Sequence, residues 1–159
     1  MKKRDKMEKS RINDKILEIK GYIQELNEIL PENFEKYISN FEKKAACERY
    51  FEKIIEAVVD LTFLVIQSRK LKTPEDEESS FMLLSNERII SENLAKKLKD
   101  AKGMRNILAH EYGKIDDSLV FEALTEQLEK DINEFIDIIK KEIRWKLCEI
   151  LISREKLYY

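Results

Sequence analysis

The chain has 159 residues, of which 43% are hydrophobic and 39% charged, enough to bury the core of one domain and leave an ion-coated surface. A net charge of −2 excludes a protein that coats nucleic acid through bulk electrostatics, and three glycines and two prolines leave little turn chemistry, so long helices with few loops are expected. Cys47 and Cys148 stand far apart and form no metal-spaced pair, which fits reduced thiols of a cytosolic protein. No N-terminal apolar run reads as a signal peptide, and no stretch approaches the ~20 apolar residues that cross a bilayer.

In chain order, residues 1–9 read as a flexible basic tail, and the first 11 residues carry six basic side chains against two acidic ones. The first helix is predicted from about residue 10 to residue 30, where Ile12, Ile16, Ile19, Ile23, Leu26 and Leu30 alternate spacings of four and three. A second helical stretch covers 33–70 with a break near Ser39 and Asn40. Its later half carries Cys47, Phe51, Ile54, Val58, Leu61 and Val65 on one stripe, widened by Val59, Phe63 and Ile66, which makes it the central helix. Residues 72–80 form a polar, acidic connection, and Phe81, Leu84 and Ile89 mark a short helix over 81–90.

Ser91 is placed as an N-cap with Glu92 beside the positive helix end. The helix that follows carries Leu94, Leu98, Ala101, Arg105 and Leu108, and Gly113 ends it. Asp116 or Asp117 caps the last long helix, which turns Leu124, Leu128, Ile132, Phe135, Ile139 and Ile143 inward and reaches towards Ile150. Residues 146–159 form a C-terminal extension. No strand pattern competes with these periods. The expected fold is all-α, a single domain over 1–159, built as an antiparallel bundle of four main helices plus one short helix.

One position on these stripes is anomalous. Arg105 stands where an apolar residue belongs, and an arginine facing a core is costly unless it is paired or interfacial. The chain's single histidine, His110, closes the same helix, and Tyr112 follows it within Gly103-Met104-Arg105-Asn106-Ile107-Leu108-Ala109-His110-Glu111-Tyr112. Histidine, with a pKa of roughly 6.5, gives and takes a proton near neutrality. Together with a fixed guanidinium and a phenol it equips a site for phosphoryl transfer without a metal. Taken singly, the residues have plainer readings: His110 as a helix-end cation, Tyr112 as a packing residue, Asn106 as a surface amide.

Helix geometry constrains the group. Five residues correspond to ~500° of rotation, so Arg105 and His110 diverge by roughly 140° on a straight helix, whereas Tyr112 returns to within ~20° of Arg105. Either the helix unwinds near Ala109, or the site is shared across a two-fold axis where two copies of the helix meet. Gly103 would let another backbone approach there.

The string from Arg105 to Tyr112 resembles the signature of HEPN domains, and more narrowly that of the HepT toxins: arginine, four residues, histidine, one residue, tyrosine. The similarity extends over Ile89-Ile90-Ser91-Glu92-Asn93-Leu94, Lys97-Leu98-Lys99 and Tyr112-Gly113-Lys114-Ile115-Asp116. The order of helices fits it from about residue 10 to 143. The resemblance implies a homodimeric endoribonuclease that uses neither metal nor cofactor. It casts Arg105 as the phosphate clamp, His110 as the proton-transfer group in attack by the RNA 2′-hydroxyl, and Asn106 as a residue that orients one of them. It also implies a partner, an MNT-type nucleotidyltransferase antitoxin that attaches AMP to the motif tyrosine, here Tyr112.

Glu52, Glu56 and Asp60 lie on one face of the central helix. A solvated or salt-bridged face is the plainer reading, and pairing with Arg105 in the RNA-free protein is the sharper one. Two competing functions remain: a non-catalytic helical subunit that docks a nucleotidyltransferase, and a helical dimer in which Arg105 merely pairs at an interface.

Overall fold

The computed structural model describes residues 2–110 and 115–155, with side chains for 3–110 and 115–144. Four long helices, α1 (Lys2–Ile29), α3 (Phe41–Ser68), α5 (Glu92–His110) and α7 (Leu128–Glu155), make the bundle. Three short ones, α2 (Phe34–Ser39), α4 (Glu77–Asn86) and α6 (Asp117–Glu122), connect them, and a π-helical turn over Ala123–Gln127 joins α6 to α7 without a break. No strand occurs among the described residues. No helix among them is long and apolar enough to cross a membrane.

Side-chain caps set where the helices begin. Asn33, Asn40 and Asp76 hold extended backbone, and their side-chain oxygens accept from the amides of Lys36 (2.9 Å), Lys43 (3.0 Å) and Ser79 (2.6 Å). Asn40 ends α2 and starts α3 at one residue, which is the break expected near Ser39 and Asn40. Ser91 caps α5 through the Leu94 amide, at 3.1 Å, and Asp116 caps α6 through Ser118, at 2.9 Å.

Two helix ends use left-handed residues other than glycine. Lys70 (φ 55°) follows α3 and Arg88 (φ 59°) follows α4. In each case the next amide reaches five residues back, Leu71 to the Ile66 carbonyl (3.1 Å) and Ile89 to the Leu84 carbonyl (2.9 Å). This is the Schellman arrangement, with Ile89 and Leu84 both buried beneath it. It stops α4 at Asn86, so the short helix expected over 81–90 lies four residues earlier, and 87–90 form the turn into α5. The helix expected from residue 10 begins at Lys2, so residues 2–9, read from the sequence as a flexible tail, form the first turns of α1. Residues 146–155 of the expected extension continue α7.

The core follows the apolar stripes. Ile12, Ile16, Ile19, Ile23 and Leu26 of α1 are buried against α3, whose own buried set runs from Cys47 to Ile66. Leu30 and Phe63 are only partly covered. Helix α3 also touches α4 and α5, α5 touches α7, and α7 closes onto α1. The long helices thus surround one core of side chains, with α2 and α6 packed together through Phe34, Tyr37 and Phe121.

The π-helical turn corrects a drift in the stripe. Val120, Leu124, Leu128 and Ile132 are all buried at successive spacings of four. In a regular α-helix each such step drifts by ~40°, which accumulates to ~120° over three. The wider turn, closed by the Leu128 amide on the Ala123 carbonyl, absorbs that rotation and keeps all four inward. Thr125 supports it by donating its hydroxyl to the Phe121 carbonyl at 2.8 Å.

Candidate active site

Helix α5 is fixed at its start by the Ser91 cap and by the buried Ile89 and Ile90 before it. Leu94, Ala95, Leu98 and Leu108 then turn its apolar face inward, and Arg105 shares that orientation. The arginine side chain is only 22% exposed. Its guanidinium donates from Nη2 to Glu56 Oε1 of α3 at 2.6 Å, and from Nη1 to Asn106 Oδ1 at 3.1 Å. Its Nε–H is buried and finds no acceptor among the described residues.

The ion pair is the physical reason an arginine can occupy the stripe. A half-buried guanidinium is tolerated when a carboxylate faces it and the geometry is short. Of the three acids on that face of α3, Glu56 reaches Arg105, Glu52 pairs with Arg49 at 2.9 Å, and Asp60 pairs with Lys15 at 3.3 Å. The face is thus salt-bridged throughout, and one of its pairs involves the motif arginine.

Helix α5 stays regular through His110, its last residue, so it does not unwind near Ala109. His110 is exposed, and the helical register sets it ~140° from Arg105. Asn106 lies between them, ~100° from the arginine and ~40° from the histidine by the same geometry. A single chain therefore brings Arg105, Asn106 and Glu56 together and leaves His110 on the outer face. That face also carries Ile107, 39% exposed, and Gly103, where an added Cβ would meet no atom within 4 Å. Tyr112 and Gly113 lie outside the described residues.

Sequence reasoning missed Lys102. It is buried, with an ion pair to Glu77 at the start of α4 at 3.3 Å. The pair ties α4 to α5 one turn before Arg105. The signal was available: Lys102 precedes Asn106 by four residues and Arg105 by three, which sets all three on one side of the helix. Earlier along α5, Leu98, Ala101 and Met104 face the π-helical turn across a cleft of about 330 Å³ that neither Arg105 nor His110 lines.

Comparison with known proteins gives this geometry its context. The family model described as "Ribonuclease HepT-like" matches residues 19–140. The mRNA nuclease HepT of Shewanella oneidensis is 28% identical over 131 residues, covering 82% of this chain and 97% of the relative. The tRNA nuclease HepT of Aphanizomenon flos-aquae is 28% identical over 133 residues, covering 79% of this chain and 90% of the relative. Among solved structures, the tri-AMPylated Shewanella oneidensis HEPN toxin in complex with MNT antitoxin superposes with a TM-score of 0.76 at 27% identity. The match covers 82% of this chain and 96% of that one. A family match over most of the chain and this shared helical frame agree: the chain belongs to the ribonuclease HepT-like family of the HEPN superfamily and is an endoribonuclease.

Proposed function

We propose that this chain is the toxin of a toxin–antitoxin pair, cleaving RNA without a metal through Arg105 and His110, and silenced by AMP addition at Tyr112. The observation that carries the reading is the half-buried Arg105, held by Glu56 and Asn106 on the helix that ends in the chain's single histidine. Arg105 clamps the non-bridging oxygens of the scissile phosphate and stabilises the charge that grows on them. His110 takes the proton as the 2′-oxygen bonds to phosphorus, and the P–O5′ bond breaks as that oxygen receives a proton. The products are a 2′,3′-cyclic phosphate and a 5′-hydroxyl.

Because one chain points Arg105 inward and His110 outward, the working unit is a homodimer that meets on the Gly103, Ile107 and His110 face. A second copy then supplies the second imidazole, so that one histidine acts as base and the other as acid. The open space at Gly103 and the exposed Ile107 support this pairing. The structural relative bound to an MNT antitoxin supports a nucleotidyltransferase partner for this chain as well. Phosphates attached at Tyr112 would bring negative charge and bulk to the same few residues that RNA must reach.

The test is cleavage of RNA by the purified chain in EDTA, with 3′-end chemistry read by mass. Arg105→Ala and His110→Ala are each expected to lose at least about 100-fold in rate while keeping the wild-type circular dichroism spectrum. A His110→Ala protein as fast as wild type would remove the histidine from the chemistry. An inert wild type in tight complex with its nucleotidyltransferase would favour a non-catalytic docking subunit.

A further inference from the structure

We propose that Glu56 is a positioning residue for the cleavage reaction, fixing the Arg105 guanidinium so that its outer edge meets the phosphate; this rests on the ribonuclease reading above. A guanidinium has five N–H donors. In this chain one points at Glu56 and one at Asn106, and the Nε–H is buried. One hydrogen on Nη1 and one on Nη2 are left over. Those two remain for phosphate oxygens, which a guanidinium can bind in pairs. Glu56 contacts the arginine through one oxygen, Oε1, so it holds Nη2 in place and leaves that nitrogen its second hydrogen.

The anchor comes from a different helix than the clamp. Glu56 sits in the middle of α3, whose neighbouring residues Ile54, Ile55, Ala57 and Val58 are all buried. Its backbone is therefore immobile relative to the core, whereas the arginine is a long side chain with several free torsions. Asn106 adjoins Arg105 on the same helix and restrains it only relative to α5. Glu56 is the contact that registers the guanidinium against the rest of the bundle. Its side chain is 43% exposed, so substitutions there do not cut into the core.

A cation that keeps its charge but loses its orientation still attracts RNA and no longer fits the transition state. Displacement of a positioning contact by about 1 Å costs on the order of 100-fold in rate. Glu56→Ala should therefore lower kcat by roughly 30- to 100-fold with KM changed by less than about 3-fold. Glu56→Gln keeps an oxygen able to accept from Nη2 and loses only the charge, so it should recover most of that loss, to within about 10-fold of wild type.

The decisive experiment measures kcat and KM for a fluorescent RNA oligonucleotide with wild type, Glu56→Ala, Glu56→Gln and Arg105→Ala, each normalised to folded protein by circular dichroism. The expected order of kcat is wild type, then Gln, then Ala, with Arg105→Ala lowest. Glu56→Ala at wild-type kcat per folded molecule would overturn the inference, because a purely structural ion pair alters thermal stability alone. Faster cleavage by either variant would also overturn it, since Glu56 would then compete with phosphate for the arginine. A wild type that cleaves no RNA would instead overturn the ribonuclease reading, and this inference with it.

Discussion

The contact between α1 and α3 is dry, whereas the contact between α3 and α5 carries charge. In the first, five residues of α1, from Ile12 to Leu26, are at most 5% exposed, and the ion pairs of Lys15 lie at its rim. In the second, Arg105 and Glu56 meet across the helices and Lys102 is buried one turn away. Each apolar side chain in the dry seam contributes about 1.5–3 kcal/mol by leaving water. A buried ion pair rarely matches an apolar pair of similar volume, because both charges must be desolvated. One side of α3 is thus built for stability, and the other keeps a cation in place at some expense to it.

The division can be broken at its dry side first. Ile19→Ala, at a site with no exposure, should destabilise the fold by about 2–5 kcal/mol in a urea melt. Cleavage per folded molecule should stay unchanged at a temperature well below the melt. A stable Ile19→Ala protein with impaired cleavage would mean that the two seams are coupled.

A pH titration probes how far the dry environment extends along α3. Cys47 is fully buried, and burial pushes its thiol from the ordinary 9.0 up to about 11. Below pH 9 the thiol is neutral both folded and unfolded, and the whole of its contribution is present. As pH rises from 9 to 11 the unfolded chain ionises and the folded one does not, so stability falls across that window. Urea melts at pH 8 and pH 10.5 should show the loss, and Cys47→Ala should reduce it. An unchanged difference would locate the loss in other groups, such as Tyr37, whose hydroxyl burial also pushes upward.

The smallest effect on stability belongs to the charged seam. Replacing the pair together, Arg105→Met with Glu56→Leu, should leave the melting temperature equal to wild type or higher, while cleavage is lost. A fall of more than about 2 kcal/mol would show that the ion pair holds α3 to α5, and the contrast between the seams would disappear.

Much of this was legible from residue types. The α1 stripe, the helix break at Asn40 and the Ser91 cap follow from spacing and side-chain chemistry. Arg105 was conspicuous because its neighbours on the stripe are apolar. Its partner could be narrowed to Glu52, Glu56 and Asp60 but not chosen, since all three share a face and the choice depends on how far α5 is shifted along α3. The end of α4 escaped because Arg88 takes the left-handed conformation that glycine usually advertises, whereas α3 ends close to the expected residue 70. The π-helical turn did leave a trace, the run of four-residue spacings from Val120 to Ile132. His110 on the outer face followed from rotation alone, once α5 was known to be straight.

That turn also fixes the phase of everything before it. Were residues 123–127 to wind as ordinary α-helix with none removed, α6 would rotate by ~100° about its axis relative to α7. Phe121 would swing away from Phe34 and Tyr37, whose rings it now meets at 5.9 and 5.1 Å. The Asp117 carboxylate, 3.1 Å from Lys44, would leave that ammonium as well. A single extra residue therefore acts as an indexing notch, setting the angle at which the chain arriving from α5 is handed to the last helix.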